Sequence, residues 1–188
     1  EKEFISSQIV DDVSTILNNF FNFRFRFLQQ PNLTKKYNNK IISVVELNLG
    51  EKNIIFYLYN SAWVSQLHEQ PGSIFFPIKS VPKHIFDNTA DLIISLIHHP
   101  LNWYDPNNRR ILKDHLESTS DLILTGHEHI ATASSNHDLA EMYIEYFEGS
   151  ALQSDYKEKG KIDFDFKSGF NFLIINLEQY KQKHYFFD

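Results

Sequence analysis

Two hydrophobic periodicities overlap in the N-terminal stretch from Ser6 to Gln30. Alternation of apolar and polar positions, typical of a half-buried strand, joins Phe21, Phe23, Phe25 and Phe27, with Asn22, Arg24 and Arg26 between them. Spacings typical of one helical stripe join Ile9, Val13, Ile16, Phe20, Phe23 and Phe27. The helical pattern covers more positions, so we predict a helix whose stripe packs in the core while its arginines are solvated. The alternative interpretation is that the interleaved Arg and Phe side chains stack on single-stranded bases.

A polar, turn-rich patch at 30–40 precedes two runs of β-branched and aromatic residues. These runs and the glycine-containing turn between them predict a β-hairpin made of Ile41–Leu49, Gly50–Lys52 and Asn53–Asn60. Beyond a loop that contains Pro71 and Gly72, we predict a short helix from about Pro82 to Asn88.

A strand, helix, strand pattern occupies the middle of the chain. The predicted elements are the strand Asp91–Ile97, the helix Asn107–Ser118 and the strand Asp121–Thr125. Because both strands are short and continuously apolar, we expect a sheet that is covered on both faces. Alternating apolar positions predict further antiparallel strands at 141–147, 170–177 and 183–187. Together these elements indicate an α/β fold.

Composition and charge narrow the classes of function. The 188 residues are 42% hydrophobic and 15% aromatic, which is enough for one domain with a proper core. A formal net charge of −6 and a pI of about 5.8 argue against a dominant role in binding nucleic acid or anionic membranes. Because the chain has no cysteine, any metal ion must be held by His, Asp, Glu or Asn. The sequence shows no membrane span and no secretory signal, so we expect a cytoplasmic protein without a membrane partner.

Histidines follow both apolar strands of the middle region. DLIISLI runs into His98 and His99, and DLILT runs through Gly126 into His127 and His129. The carboxyl ends of neighbouring strands in an α/β sheet meet at one crevice, and residues two apart in extended backbone project to the same side. We therefore predict a metal site at these strand ends. The other histidines are expected to be ordinary surface or core residues: His68, His84, His115, His137 and His184.

These strand ends resemble the C-terminal half of the calcineurin-like metallophosphoesterases. The resemblance consists of a strand ending in HHP, a helix about ten residues later and a strand ending in GHEH. The stretches NSAWVS at 60–65 and EGSALQ at 148–153, together with Trp103, are similar to bacterial members, and the likeness covers roughly 53–188. It implies a four-layer αββα sandwich with mixed β-sheets. It also implies that two divalent metal ions hydrolyse a phosphomonoester or phosphodiester substrate.

The resemblance also implies roles for individual residues. His98 and His127 would bind one metal ion, and His129 would bind the other. His99 would support or pack against the site, and Pro100 would fix the turn that follows it. Glu128 would be a solvated surface residue and not a ligand. Histidine accepts Mn, Fe, Zn or Ni, so the metal stays open, and nucleic acid enters only as one substrate among several.

The N-terminal motifs of the family are missing from the sequence before His98. These motifs, DxH, GDxxD and GNH, supply the remaining ligands and the histidine that helps to protonate the leaving group. The chain also opens with EKEFISS and no methionine. We therefore expect 1–188 to be the C-terminal portion of a metallophosphoesterase domain, completed by an N-terminal segment or a partner chain. Within it we expect a helical, insertion-like segment at 1–40 and a sheet-forming part at 41–188.

Two functions follow from this combination of features. The first is metal-dependent phosphoester hydrolysis at a dinuclear site that is incomplete in this chain. The alternative is a noncatalytic, degenerate module that binds metal or another protein.

Overall fold

A computed structural model describes residues 5–27, 32–66, 68–86, 89–128, 132–137, 143–150, 169–179 and 181–187. Its helices are α1 (Ser7–Val13), α2 (Asn18–Phe27) and α3 (Pro106–Thr119). Its strands are β1 (Leu33–Asn38), β2 (Ile42–Leu49), β3 (Lys52–Tyr59), β4 (Leu92–Ile97), β5 (Leu122–Thr125), β6 (Thr132–His137), β7 (Tyr143–Glu148), β8 (Phe170–Asn176) and β9 (Lys181–Phe187).

Strands β1 to β7 form one mixed sheet in the order β1-β2-β3-β4-β5-β7-β6. The central neighbours β3, β4, β5 and β7 run parallel, whereas β1, β2 and β3 pair antiparallel and β6 pairs antiparallel with β7. Strands β8 and β9 form a separate antiparallel pair. The expected class, an α/β fold with a mixed sheet, is confirmed at this level.

The N-terminal helix is confirmed, but its predicted packing is wrong. A 3₁₀ turn separates α1 from α2, and Val10 and Ser14 are the side chains buried there. The predicted stripe is exposed at Ile9, Val13, Ile16, Phe20 and Phe23. In α1 the buried face is that of Val10, one position along from Ile9, so the predicted stripe already faces away from the core before the 3₁₀ turn.

The predicted hairpin and the strand, helix, strand unit are confirmed. Gly50 has φ 66 in the hairpin turn, a conformation that glycine adopts without strain. Helix α3 begins at an effective cap, because the Asp105 carboxylate accepts hydrogen bonds from the backbone N–H groups of Asn107 and Asn108. Asn108, Leu112 and Leu116 then form its buried face.

One local prediction differs from the structure, and two strands were not predicted. The helix predicted from Pro82 to Asn88 is only a 3₁₀ turn at Lys83–Ile85, where Ile85 alone is buried; residues 87 and 88 lie outside the described part. Strands β1 and β6 were not predicted. Both are edge strands, and their described side chains are largely exposed, so neither needs an apolar alternation that sequence inspection would detect.

Apolar side chains pack on both faces of the seven-stranded sheet. On one face, Ile93 and Ile97 of β4 share a core with Leu112 and Leu116 of α3. On the other face lies a second cluster formed by Leu92, Ile94, Leu122 and Phe147, with Leu173, Ile175 and Leu177 packed against it. The expectation that the central strands are covered on both faces is thus confirmed along β4. None of the described helices is both long and apolar enough to cross a membrane.

Candidate metal centre

The candidate site lies at the carboxyl ends of β4 and β5. These strands are parallel neighbours in register, with Leu96 opposite Leu124, so both chains leave the sheet at the same edge. The backbone N–H of Gly126 donates to the carbonyl of His98 at 2.9 Å and ties the two exits together. The sheet itself therefore delivers His98 and His127 to one place, as the sequence predicts.

The imidazoles of His98 and His127 face each other. His98 Nε2 lies 3.2 Å from His127 Nδ1, and the two rings are nearly perpendicular at 87°. Metal–nitrogen bonds of about 2.0–2.1 Å place two ligands of one tetrahedral ion roughly 3.3 Å apart. The observed separation fits such a pair. It also allows one neutral ring to donate a hydrogen bond to the other, and a metal ion would replace that contact.

His127 departs from the extended backbone that we expected. Its φ is 77, and the N–H of Glu128 donates back to the carbonyl of Gly126 at 3.0 Å, which makes a tight turn around His127. The extended backbone predicted at His127 is therefore wrong. His129 lies outside the described residues, so its role as a ligand stays a prediction. A side chain at Gly126 would place its Cβ 3.5 Å from His98 Nδ1.

His99 adds a third imidazole behind the pair. One nitrogen from each of His98, His99 and His127 can be chosen so that all lie within 4.8 Å of one another. His99 is 1% exposed, and both of its ring nitrogens are engaged: Nδ1 contacts Ser61 Oγ at 2.9 Å and Nε2 contacts Glu69 Oε2 at 3.0 Å. This arrangement agrees with the expected packing role, because coordination by His99 would break one of those bonds.

The electrostatics of the His99 contacts favour a neutral ring beside a charged carboxylate. Burial lowers the pKa of His99, and the hydrogen bond and charge of Glu69 offset that shift only in part. Burial raises the pKa of Glu69, but hydrogen bonds from Ser65 and His99 outweigh it and hold that pKa below its ordinary value. Neutral imidazole is the form that binds metal.

Glu128 is exposed, as expected, but its carboxylate is held in place. Oε1 accepts hydrogen bonds from Asn102 Nδ2 and from Trp103 Nε1, each at 2.8 Å. These bonds hold the pKa of Glu128 below its usual range. The Trp103 ring packs against the His127 ring with centroids 4.1 Å apart.

The sequence analysis did not predict three sets of contacts at the site: those of Ser61, of Glu69 and of the Trp103–Glu128 pair. Ser61 and Trp103 lie in stretches that resemble the family, so the signal for them was present without an assigned role. Glu69 lies in a loop that carries no recognisable motif. Its position depends on tertiary folding alone.

The remaining described histidines lie outside this cluster. His115 is half-buried against Tyr59 and Phe86, and His184 contacts the amide oxygen of Asn171 at 2.8 Å. His68 and His84 are exposed. The side chain of His137 lies outside the described part. Within the described ranges, His98, His99 and His127 form the only group of three side chains of metal-ligand type that converge in this way.

Comparison of the chain with known protein families, with curated proteins and with solved structures finds no match. Two neutral imidazole nitrogens suit Mn, Fe, Zn or Ni, and Ca or Mg would require oxygen ligands instead.

Proposed function

We propose that His98 and His127 bind one divalent first-row transition-metal ion, as part of a metal-dependent phosphoester hydrolase. The observation that carries this proposal is the 3.2 Å separation between His98 Nε2 and His127 Nδ1 at the carboxyl edge of two neighbouring parallel strands. Ligand-binding crevices of α/β sheets lie at this edge.

Each residue of the site has a defined part in this proposal. His98 and His127 supply ligand nitrogens, and His129 would supply one to a second ion. His99 forms the buried wall behind them, oriented by Ser61 and Glu69. Bound divalent ions would polarise a phosphoester and lower the pKa of an attacking water. The ions would also attract phosphate despite the negative net charge of the chain.

The four-layer αββα sandwich belongs to the same proposal. The cluster of Leu92, Ile94, Leu122 and Phe147 packs with apolar residues of the β8 segment, so the two sheets already meet through an apolar layer. Such packing of sheet on sheet is the central feature of a sandwich. We propose that the remaining metal ligands come from a further segment or a partner chain.

A noncatalytic metal-binding module is the second candidate. It is favoured by the donor set: among the described residues, the converging group contains three imidazoles and no carboxylate. The sequence printed here also lacks the DxH, GDxxD and GNH motifs. This module would bind a metal ion at His98 and His127 without turnover.

Metal content and hydrolysis measured on the same samples separate these functions. The full chain would be incubated with Mn²⁺ or Zn²⁺, desalted, and assayed for metal per chain and for hydrolysis of bis-p-nitrophenyl phosphate. We expect His98→Ala and His127→Ala to lose at least about tenfold in metal affinity, because each removes one of two ligands. His84→Ala, an exposed histidine away from the site, should bind like the wild type.

Each outcome of this experiment decides between the candidates. Metal binding with turnover supports the hydrolase. Metal binding that depends on both histidines, without turnover, supports the noncatalytic module. Equal binding by all three variants and the wild type would show that the pair is not the metal site.

A further inference from the structure

We propose that Glu128 and Trp103 are positioning residues that hold the His127 imidazole in its place beside His98. This inference rests on the proposed metal site, because it concerns the same pair of histidines. Neither residue is a ligand in that site. Both would act on the metal through His127.

His127 has a backbone conformation that needs support from its surroundings. Its φ of 77 lies in the left-handed region, which is unfavourable for a residue with a Cβ atom. Backbone hydrogen bonds fix the chain before it, through Gly126 and His98, and close the turn after it, from Glu128 to Gly126. The chain leaves the sheet after Thr125 and Glu128 closes the turn, so the contacts of the Glu128 side chain bear on how firmly the turn is held.

The Glu128 carboxylate provides that hold. Its Oε1 accepts hydrogen bonds from both Asn102 Nδ2 and Trp103 Nε1 at 2.8 Å. Trp103 is itself anchored, because its carbonyl accepts hydrogen bonds from the N–H groups of Gly72 at 3.1 Å and Ile74 at 3.0 Å. Glu128 thus links the turn after β5 to the fixed segment after β4, which carries His98.

The Trp103 ring limits where the His127 ring can go. His127 contacts three rings, with centroids at 4.1 Å for Trp103, 4.4 Å for His99 and 5.1 Å for His98. Of these, the indole is the nearest and packs edge-on at 78°. Trp103 therefore both donates a hydrogen bond to Glu128 and packs against the His127 ring.

The simplest alternative is that these are ordinary surface hydrogen bonds with no effect on the site. Hydrogen bonds of exposed groups contribute little to global stability, so that alternative and the proposal both predict a folded variant. They differ in metal affinity, because only the proposal makes the position of the His127 ring depend on Glu128 and Trp103. Metal affinity is therefore the quantity to measure.

The test is Zn²⁺ binding by calorimetry on the full chain. We expect Glu128→Ala to bind Zn²⁺ about tenfold more weakly than the wild type, as is usual when a partner that orients a ligand is removed. Glu128→Gln keeps an oxygen that accepts both hydrogen bonds and should recover most of the affinity. Trp103→Phe keeps a ring beside His127 but loses the N–H donor. Its affinity for Zn²⁺ should therefore fall between those of Glu128→Ala and Glu128→Gln. Glu51→Ala, an exposed glutamate in the hairpin turn, is the matched control.

A second readout, which checks that the Trp103–Glu128 hydrogen bond exists, needs no metal. The chain has two tryptophans, and the indole N–H of Trp63 donates to the carbonyl of Phe75 at 3.0 Å, away from Glu128. In a ¹H–¹⁵N spectrum, Glu128→Ala should move the Trp103 indole signal and leave the Trp63 signal in place.

The outcomes separate this inference from the proposed function. If the wild type binds Zn²⁺ through His98 and His127 while Glu128→Ala binds equally well, the positioning role is wrong and the metal site stands. If the folded wild type does not bind Zn²⁺, both are wrong. Should Glu128→Ala fail to fold, the comparison of Trp103→Phe with the wild type decides by the same criterion.

Discussion

The environment of His115 makes the neutral form of its ring the stable one. The side chain is half-buried, with its ring 4.4 Å from that of Phe86 and its Nε2 3.0 Å from the Tyr59 hydroxyl. Burial lowers its pKa from 6.5 to about 4. Between these two values the unfolded chain takes up a proton that the folded chain excludes. The contribution of His115 to stability is therefore present above its unfolded pKa and is lost as the pH falls toward its folded pKa.

We predict that His115→Gln flattens the acid side of the stability profile. Glutamine does not titrate, and its amide can still hydrogen-bond to the Tyr59 hydroxyl. From pH 7.5 to pH 4.5, the wild type should lose up to about 3 kcal/mol more unfolding free energy than the variant. Urea unfolding at the two pH values measures this difference. His84→Gln, which changes an exposed histidine, should keep the wild-type slope; a wild-type slope in His115→Gln would contradict the buried, neutral ring.

At the residue scale, the sequence predicts contacts between residues that follow neighbouring strands. It does not predict contacts made by residues in loops. His98 and His127 each follow an apolar strand directly, so the topology of a parallel sheet already places them side by side. Glu69 reaches His99 from a loop distant in sequence, and no periodicity or motif encodes that contact. The turn at His127 was missed because a positive φ is uncommon for any residue other than glycine.

A buried amide joins helix α3 to the loop before β4. Asn108 Oδ1 accepts a hydrogen bond from the N–H of Phe76, and its Nδ2 donates to the carbonyl of the same residue, both at 2.8 Å. The Asn108 side chain thus satisfies both the backbone N–H and the backbone carbonyl of Phe76, as a neighbouring strand would. The side chain of Phe76 is fully buried. Because α3 connects β4 to β5, this contact also supports the strands that carry the candidate site.

We predict that Asn108→Ala lowers the unfolding free energy by about 2–3 kcal/mol, because it leaves a buried N–H and a buried carbonyl of Phe76 without partners. Chemical denaturation with circular dichroism measures the loss. Asn107→Ala changes an exposed amide one position earlier on the same helix and should cost less than about 0.5 kcal/mol. Because Ala is a better helix former than Asn, propensity cannot cause a loss; similar losses in the two variants would mean that the Phe76 contact is not what stabilises the helix.

At the scale of elements, the fold could be predicted wherever a segment buries one regular face. β3 and α3 do so. In addition, β2 was predicted from its β-branched residues, and β4 and β5 from their short, continuously apolar sequences. The segment at Pro82 could not be predicted in this way, because three residues of 3₁₀ turn bury only Ile85. The N-terminal stripe has a strong helical period but remains exposed, so its period predicted the helix and not its packing.

At the scale of the whole molecule, the β8–β9 pair is apolar on both of its faces. Leu173 and Ile175 point toward the seven-stranded sheet, whereas Phe170, Phe172, Ile174, Tyr185 and Phe187 are large exposed side chains. Alternation along β8 puts these two sets on opposite faces. Exposed patches of this kind promote association or binding of hydrophobic dyes. Their removal should therefore change solution behaviour without changing stability.

We predict that Phe172→Thr reduces the fluorescence of bound 8-anilinonaphthalene sulfonate and any self-association seen by light scattering. Its melting temperature should stay within a few degrees of the wild type, because Thr suits a strand and Phe172 is about half exposed. Leu173→Thr, one position later, should instead lower the melting temperature, since its side chain packs against the cluster of Leu92 and Phe147. A one-residue slip of β8 would exchange the two results, so the pair also tests the register with which this strand meets the sheet that carries His98 and His127.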